Sequence, residues 1–145
     1  MKRAAALLFM LSASALAGEE IARPDAALIP GVDGDISVDD WRSMATGRTL
    51  TYEIDGAFFA LERYHSGGSG VMLQLADGSC MSGVWDHFGQ SYCYYWEDAA
   101  PVCFRHVRAG GRVFILQLEN GVETGDVQEM TRISDAPLIC EGLIG

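Results

Sequence analysis

Residues 49–133 consist of short segments in which apolar and polar side chains alternate, with a turn signal about every 8 to 12 residues. This period of two predicts β-strands at residues 49–53, 57–64, 71–75, 79–87, 91–97, 102–108, 112–118 and 126–133. Turns are predicted at Asp55-Gly56, Asp77-Gly78, Gly89-Gln90, Gly110-Gly111 and Asn120-Gly121. Because consecutive hairpins make antiparallel neighbours and closure removes exposed edges, we predict an all-β, up-and-down meander of about eight strands that closes into a barrel.

One short helix is predicted just before the first of these strands. Ser37 can cap its first turn, with Asp40 at the third helical position, and Gly47 can supply the left-handed residue that ends it. We expect the helix to bury Trp41 and Met44 and to cover or flank the sheet. Residues 113–116 are apolar on both faces of their strand, so we expect the helix to cover this strand from outside.

The four cysteines form an even set, which in an exported chain predicts two disulfides. If the fifth and sixth predicted strands form a hairpin, Cys93 and Cys103 lie opposite each other, near the Cβ separation of a disulfide. Among three possible connectivities this register favours Cys93 with Cys103 and leaves Cys80 for Cys140. The second bond would fasten the C-terminal tail to the barrel wall.

The first 17 residues have the pattern of a secretory signal peptide. Lys2-Arg3 precede an apolar stretch that ends at Leu11, and Ala15-Leu16-Ala17 form a cleavage site of small residues. The apolar stretch is shorter than the roughly 20 residues that span a bilayer. Cleavage after Ala17 predicts a soluble periplasmic or secreted protein, and Gly18 follows where a lipoprotein would carry its lipid-modified cysteine.

Removal of this segment leaves 128 residues, enough for one domain. Residues 18–35 contain acids, prolines and glycines without periodicity, which predicts an extended leader, and residues 36–145 are expected to form a single disulfide-stabilised β-domain. Eight arginines then face 20 acidic residues, a net charge of −12. Such a surface argues against nucleic acid and anionic membranes as partners and would attract a cationic one.

Short motifs lie along the predicted strands: Gly47-Arg48-Thr49-Leu50-Thr51-Tyr52, Asp77-Gly78-Ser79-Cys80 with Gly83-Val84-Trp85, Tyr92-Cys93-Tyr94-Tyr95-Trp96-Glu97 and Pro101-Val102-Cys103-Phe104. Together they resemble the landmarks of a family of small exported proteobacterial β-domains of uncharacterised function. Those landmarks are a GRTLTY-type first strand, a DGxCxxGxW hairpin and a cysteine-bearing strand, from which this chain departs at Trp96. The resemblance covers about residues 38–108, implies a periplasmic β-structure and supplies no active site.

Metal binding is not favoured by the spacing of the polar residues. Asp33 and Asp35 alternate as in a calcium loop, but Gly31 then occupies the first ligand position and Ile36 replaces the required glycine. A helix-capping loop is the preferred interpretation of this segment. The cysteines have no CxxC or CxxH spacing, so we expect no metal site and no cofactor.

Catalytic residues are likewise not indicated. His65, His87 and His106 lie on separate segments and are expected at the surface or at hairpin ends. Ser69 lies in a glycine-rich loop that lacks the G-x-S-x-G elbow. A buried histidine close to an acid at a barrel mouth would instead favour an enzyme.

The aromatic side chains are the richest candidates for a binding site, because rings with polar tips suit ligand pockets and interfaces. A hollow barrel would be lined by Tyr52, Tyr64, Trp85, Tyr94 and Trp96. An eight-stranded barrel is just wide enough for side chains to fill it completely, and the filled barrel is the favoured alternative.

The sequence therefore favours an exported, non-catalytic β-barrel binding module, with a small apolar or amphipathic ligand as its first candidate occupant. A cavity smaller than a few hundred Å³ would argue against that occupant. One alternative is a protein-binding inhibitor of a cationic envelope hydrolase, steered to its target by the acidic surface. Another is a structural protein of the envelope.

Overall fold

The computed structural model describes residues 31–140. The predicted signal peptide and residues 18–30 of the predicted leader lie outside this range. No helix among the described residues is both long and apolar enough to cross a membrane.

Within residues 31–140 the chain forms one helix and a single antiparallel sheet. The elements are β1 (Gly34–Asp35), α1 (Val38–Ala45), β2 (Thr49–Ile54), β3 (Ala57–Tyr64), β4 (Gly70–Leu75), β5 (Cys80–Phe88), β6 (Ser91–Trp96), β7 (Val102–Ala109), β8 (Arg112–Glu119) and β9 (Val122–Ser134). From β2 to β9 each strand pairs with the next, and β9 returns to pair with β2. The predicted eight-stranded up-and-down barrel is confirmed.

Tight turns with left-handed backbone join the hairpins. Asp55 and Gly56 have φ of 51° and 75°, and Asn120 and Gly121 have φ of 51° and 77°. Two consecutive positive φ values define the hairpin turn whose twist matches that of its strands, and Asp-Gly and Asn-Gly are the pairs that adopt it most readily. These short signals therefore fix the hairpins where the sequence predicts them.

The last strand begins at Val122, earlier than the predicted start at residue 126. The intervening Thr124-Gly125-Asp126 has the composition of a turn, but Gly125 has φ of 91° and the β8–β9 register shifts between Leu116 and Leu118. Two extra residues in β9 are accommodated as a bulge, so the strand continues through them.

The end of the predicted leader is part of the sheet. Gly34 and Asp35 form β1, which pairs with β7, and the Asp35 carboxylate forms an ion pair with Arg105. Asp33 Oδ2 accepts a hydrogen bond of 3.0 Å from the backbone N–H of Gly110. Both carboxylates that the sequence places in a calcium-like spacing thus hold this segment against β7.

The helix closes one end of the barrel. Its predicted cap is confirmed, since Ser37 Oγ accepts a hydrogen bond of 3.2 Å from Asp40 N, and Gly47 after the helix has φ of 71°. Trp41 is completely buried in the inner apolar cluster, which also contains Val113 and Ile115 of β8.

A second apolar cluster lies on the opposite face of β7 and β8 and comprises Val107, Ala109, Phe114 and Leu116, with Val127 packed against them. The expectation that the helix covers this strand from outside is wrong, because Trp41 packs with the inner cluster. Alternation along β8 divides residues 113–116 between the two clusters, which explains why the strand is apolar on both faces.

Two disulfides have the predicted pairing. Cys93 and Cys103 are cross-strand partners in the β6–β7 hairpin and are bonded to each other. Cys80 of β5 is bonded to Cys140 at the end of the tail that follows β9. The tail is also held by Gln74, whose side-chain amide donates to the carbonyl of Ile139 at 2.6 Å.

Candidate functional site

The half of the barrel next to α1 is filled by aromatic side chains. The Trp41 ring lies 6.1 Å from that of Tyr64, 5.9 Å from Tyr92 and 4.0 Å from His106, measured between ring centroids. Trp85 packs on the same group, 5.7 Å from Tyr64 and 6.1 Å from Tyr92. Tyr64 and Trp85, two of the five predicted ligand-binding residues, therefore belong to this packed plug.

The other half of the barrel contains a cavity of about 220 Å³. Three predicted ligand-binding residues line it, Tyr52, Tyr94 and Trp96. The remaining lining residues are Phe59, Glu62, Leu73, Val102, Phe104, His106, Ile115, Gln117 and Gln128. The favoured expectation of a completely filled barrel is wrong for this half, since the plug around Trp41 fills only the end next to the helix.

Strand pairing in the barrel wall is incomplete beside this cavity. Strands β2 and β9 pair only as far as Glu53 and Glu129, so the first part of β9 has no partner on that side. A second, smaller cavity of about 190 Å³ lies there, shares Phe59, Gln117 and Gln128 with the first and adds Asp126. The two cavities are therefore neighbours with three lining residues in common.

A network of polar side chains lies within the barrel at the cavity. The Tyr52 hydroxyl donates a hydrogen bond of 2.8 Å to Glu62 Oε1. The hydroxyls of Tyr64 and Tyr94 are 2.6 Å apart, and that of Tyr94 is 3.4 Å from His106 Nε2. Each tyrosine keeps its ring in apolar packing while its hydroxyl reaches a polar partner.

Glu62 is the only carboxylic acid among the described residues that line the larger cavity. It is 6% exposed, and none of the ion pairs among the described residues includes it. Burial raises the pKa of Glu62 to about 7, and the neighbouring hydroxyls of Tyr64 and Tyr52 act in the opposite direction. Near neutral pH the carboxyl group is therefore present in both its charged and its neutral form.

His106 is the second ionisable group of the cavity. It is 1% exposed, and its ring stacks on that of Tyr92 with centroids 3.8 Å apart and an interplanar angle of 4°. Burial lowers the pKa of His106 well below its usual value, so the imidazole is neutral at pH 7. Its Nδ1 has no hydrogen-bond partner among the described residues. The expectation of a surface or hairpin-end position is wrong for this histidine.

Sequence reasoning did not identify Glu62 and placed His106 at the surface or a hairpin end, although a signal of burial was present. Glu62 alternates with Ala60 and Tyr64, and His106 with Phe104, so each polar residue shares a strand face with buried apolar neighbours. A polar residue on such a face points into the core, and an inward-pointing polar residue is a signal of a functional site. No group of three or more His, Cys, Asp or Glu among the described residues is arranged to hold a metal ion.

These features define a small disulfide-bonded antiparallel barrel, closed at one end by a helix and hollow at the other. The two disulfides are consistent with an oxidising, exported compartment. Comparison with models of known protein families, with curated proteins and with solved structures finds no match to this chain. The family resemblance of its motifs therefore stays a prediction.

Proposed function

We propose that this protein is an exported, non-catalytic β-barrel binding module that holds a small amphipathic ligand in the larger cavity. The observation that carries the proposal is the cavity itself, in which aromatic and aliphatic walls surround the hydrogen-bonded Tyr52 and Glu62. Ligand sites commonly combine such walls with a few polar groups that orient the ligand. The plug around Trp41 fills the barrel next to the helix, so the ligand is placed in the other half only.

At about 220 Å³ the cavity is smaller than the few hundred Å³ expected of a site for an apolar ligand, and it leaves room only for a very small molecule. An engineered apolar cavity of about 150 Å³ binds benzene, so 220 Å³ corresponds to roughly nine non-hydrogen atoms. Drug-sized ligands occupy pockets of about 300 to 1,000 Å³ and would not fit without movement of the walls. A lipid chain or a large aromatic ligand is therefore not proposed.

The location of the protein belongs to the same proposal. We propose cleavage after Ala17 and a periplasmic or secreted mature protein, supported by the signal-like sequence of residues 1–17 and by two disulfides. The measured mass of protein recovered from an exporting host would test this. The proposal requires loss of the first 17 residues and of four hydrogens.

Binding in the cavity can be tested by filling it. We expect members of a library of small fragments to bind the wild-type mature protein in ligand-observed NMR. Val102→Trp places a large ring in the cavity and should abolish this binding. Val84→Trp makes the same change at a position that is 50% exposed on the outer face and should leave binding intact. Equal binding to all three proteins, or no binding to any, would overturn the proposal.

A second candidate function, acid–base catalysis on a bound ligand, is favoured by one observation. His106 and Glu62 line the same cavity. A buried histidine that shares a site with an acid is an arrangement that favours an enzyme. A neutral imidazole can accept a proton and a carboxyl group with a pKa of about 7 can donate one. Recovery of a bound fragment unchanged after prolonged incubation would support binding alone, and its conversion, lost in His106→Gln, would support catalysis.

A further inference from the structure

The cavity is rich in aromatic side chains. Five of its lining residues carry six-membered aromatic rings: Tyr52, Phe59, Tyr94, Trp96 and Phe104. Tyr94 and Trp96 are parallel, with ring centroids 5.8 Å apart and an interplanar angle of 8°, and Phe104 meets Tyr94 edge on. The electron-rich faces of such rings attract cations, and clusters of them form the cages that recognise alkylated ammonium groups.

The ionisable side chains of the cavity give it negative charge, which would attract a cation. Glu62 is the only acidic side chain among the described lining residues, and no arginine lines the cavity to neutralise it. Tyr52 gives this carboxyl group a hydrogen bond but no positive charge. Burial of a carboxylate without a positive partner is unfavourable in free energy. A cationic ligand would supply the positive partner that no lining residue provides.

Other ligand charges fit less well. An anion would face Glu62 in a low-dielectric cavity with no basic side chain to receive it, because His106 is neutral. A purely apolar ligand would leave the buried Glu62 carboxylate without a positive partner. Asp126, in the smaller cavity that shares three lining residues with the larger one, adds a second negative side chain nearby. The strongly acidic chain as a whole would also attract cations.

We propose that the ligand of the larger cavity is a small alkylammonium cation, with its charge beside the Glu62 carboxylate and its alkyl groups against the aromatic rings. This inference rests on the proposed binding function and adds the chemical class of the ligand to it. A trimethylammonium group with a short substituent lies within the limit of roughly nine non-hydrogen atoms that the volume sets. Choline is therefore a suitable probe.

Choline has an uncharged isostere in which a tert-butyl group replaces the trimethylammonium group, so the two probes differ mainly in charge. Isothermal titration of the mature protein at pH 8 should show choline binding at least about tenfold more tightly than the isostere. Glu62→Gln should remove most of this preference, because the amide cannot pair with a cation. Glu53→Gln, the same change at a β2 residue outside both cavities, should retain it.

The outcomes separate the inference from the function on which it rests. Equal binding of choline and the isostere, both lost in Val102→Trp, would overturn the cation while supporting ligand binding in the cavity. Binding of neutral fragments alone would have the same meaning. Absence of binding for choline, the isostere and the fragment library would overturn both proposals.

Two further measurements keep the test decisive. If Glu62→Gln does not fold, Trp96→Leu should weaken choline binding more than isostere binding, and an equal effect on both would contradict the aromatic cage. Because an alkylammonium group also occurs as a lipid headgroup, cosedimentation with phosphatidylcholine vesicles, compared with phosphatidylglycerol vesicles, distinguishes a membrane-borne source from a free one. Selective cosedimentation would assign the cation to the lipid, and choline binding without cosedimentation would assign it to a free molecule.

Discussion

Tyr52 donates a hydrogen bond of 2.8 Å to Glu62 Oε1 across the β2–β3 pair. Tyr52 lies opposite Ala60 in the register, so Glu62 is its diagonal neighbour two residues further along the same inner face. This pairing gives the buried carboxyl group a neutral donor instead of a cation. The charged form of Glu62 is therefore poorly stabilised, which is why burial governs its pKa.

The raised pKa of Glu62 predicts a pH-dependent effect of Glu62→Gln on stability. The pKa of Glu62 is 4.5 ordinarily and about 7 in the folded protein. Between these two pH values the folded protein therefore holds the carboxyl proton more firmly than the unfolded chain does. The contribution of Glu62 to the free energy of unfolding is thus largest below pH 4.5 and falls as the pH rises to about 7. The amide that Glu62→Gln introduces does not titrate and can still accept a hydrogen bond from Tyr52. The variant should therefore gain up to about 3 kcal/mol on the wild type between pH 4.5 and pH 8.

Urea denaturation of both proteins without ligand, at several pH values, measures this difference. Other titrating groups, including His106, contribute equally to both proteins and cancel in the subtraction. Parallel stability curves across the pH range would show that Glu62 titrates in the folded protein as it does in the unfolded chain.

The proposed alkylammonium ligand should bind more weakly as the pH falls. Tyr52, Tyr64 and Tyr94 face Glu62 with pKa values raised well above 10 by burial, and His106 is kept neutral by its lowered pKa. Glu62, with a pKa of about 7, is therefore the group of this network that changes charge between pH 6 and pH 8. Choline affinity measured by titration should decrease below about pH 7, whereas that of the uncharged isostere should stay constant. A parallel decrease for both probes would indicate a change in the barrel and not in Glu62.

Trp41 should contribute more to stability than any single exposed aromatic residue. Its side chain is 0% exposed and contacts the rings of Tyr64, Tyr92 and His106. Trp41→Ala should lower the free energy of unfolding by about 3 to 5 kcal/mol. Trp41→Phe should cost less, because it also removes an indole N–H that is buried without a hydrogen-bond partner among the described residues.

Phe88→Ala is the matched control for the Trp41 variants, since Phe88 is 85% exposed. It should change the free energy of unfolding by less than about 0.5 kcal/mol. Urea denaturation followed by far-ultraviolet circular dichroism measures all the variants. Similar losses for Trp41→Ala and Phe88→Ala would contradict the role of the plug.

Local signals were sufficient to predict most of the barrel. Turn pairs such as Asn120-Gly121 fix a hairpin within a few residues, and the register of one hairpin was enough to bring Cys93 opposite Cys103. The start of β9 was missed because Gly125 occupies a bulge, whose composition resembles that of a turn. A bulge is decided by pairing with the neighbouring strand and leaves little local trace.

The candidate site was predicted only in part. Alternation identifies residues that share a strand face, and this correctly grouped Tyr94 with Trp96. Alternation does not show how far along the barrel each residue lies. Tyr64, which packs on Trp41, and Trp85, which packs on Tyr64, therefore could not be distinguished from the residues that line the cavity. The pairing of Tyr52 with Glu62 depends on the β2–β3 register, which shifts at a bulge beside Tyr52.

Gly83 in β5 has no room for a side chain against β6. A Cβ atom there would lie 2.7 Å from the carbonyl oxygen of Tyr95 and 2.7 Å from the Trp96 ring. Gly83→Ala must therefore either open the β5–β6 pair or push Trp96 out of place, and should destabilise the protein by about 1 to 3 kcal/mol. Because Trp96 lines the cavity, ligand binding should weaken as well. Gly67→Ala is the matched control, since no atom lies within 4 Å of its Cβ, and should be nearly neutral in urea denaturation. Equal stability of the two variants would show that β5 and β6 separate at this point without cost.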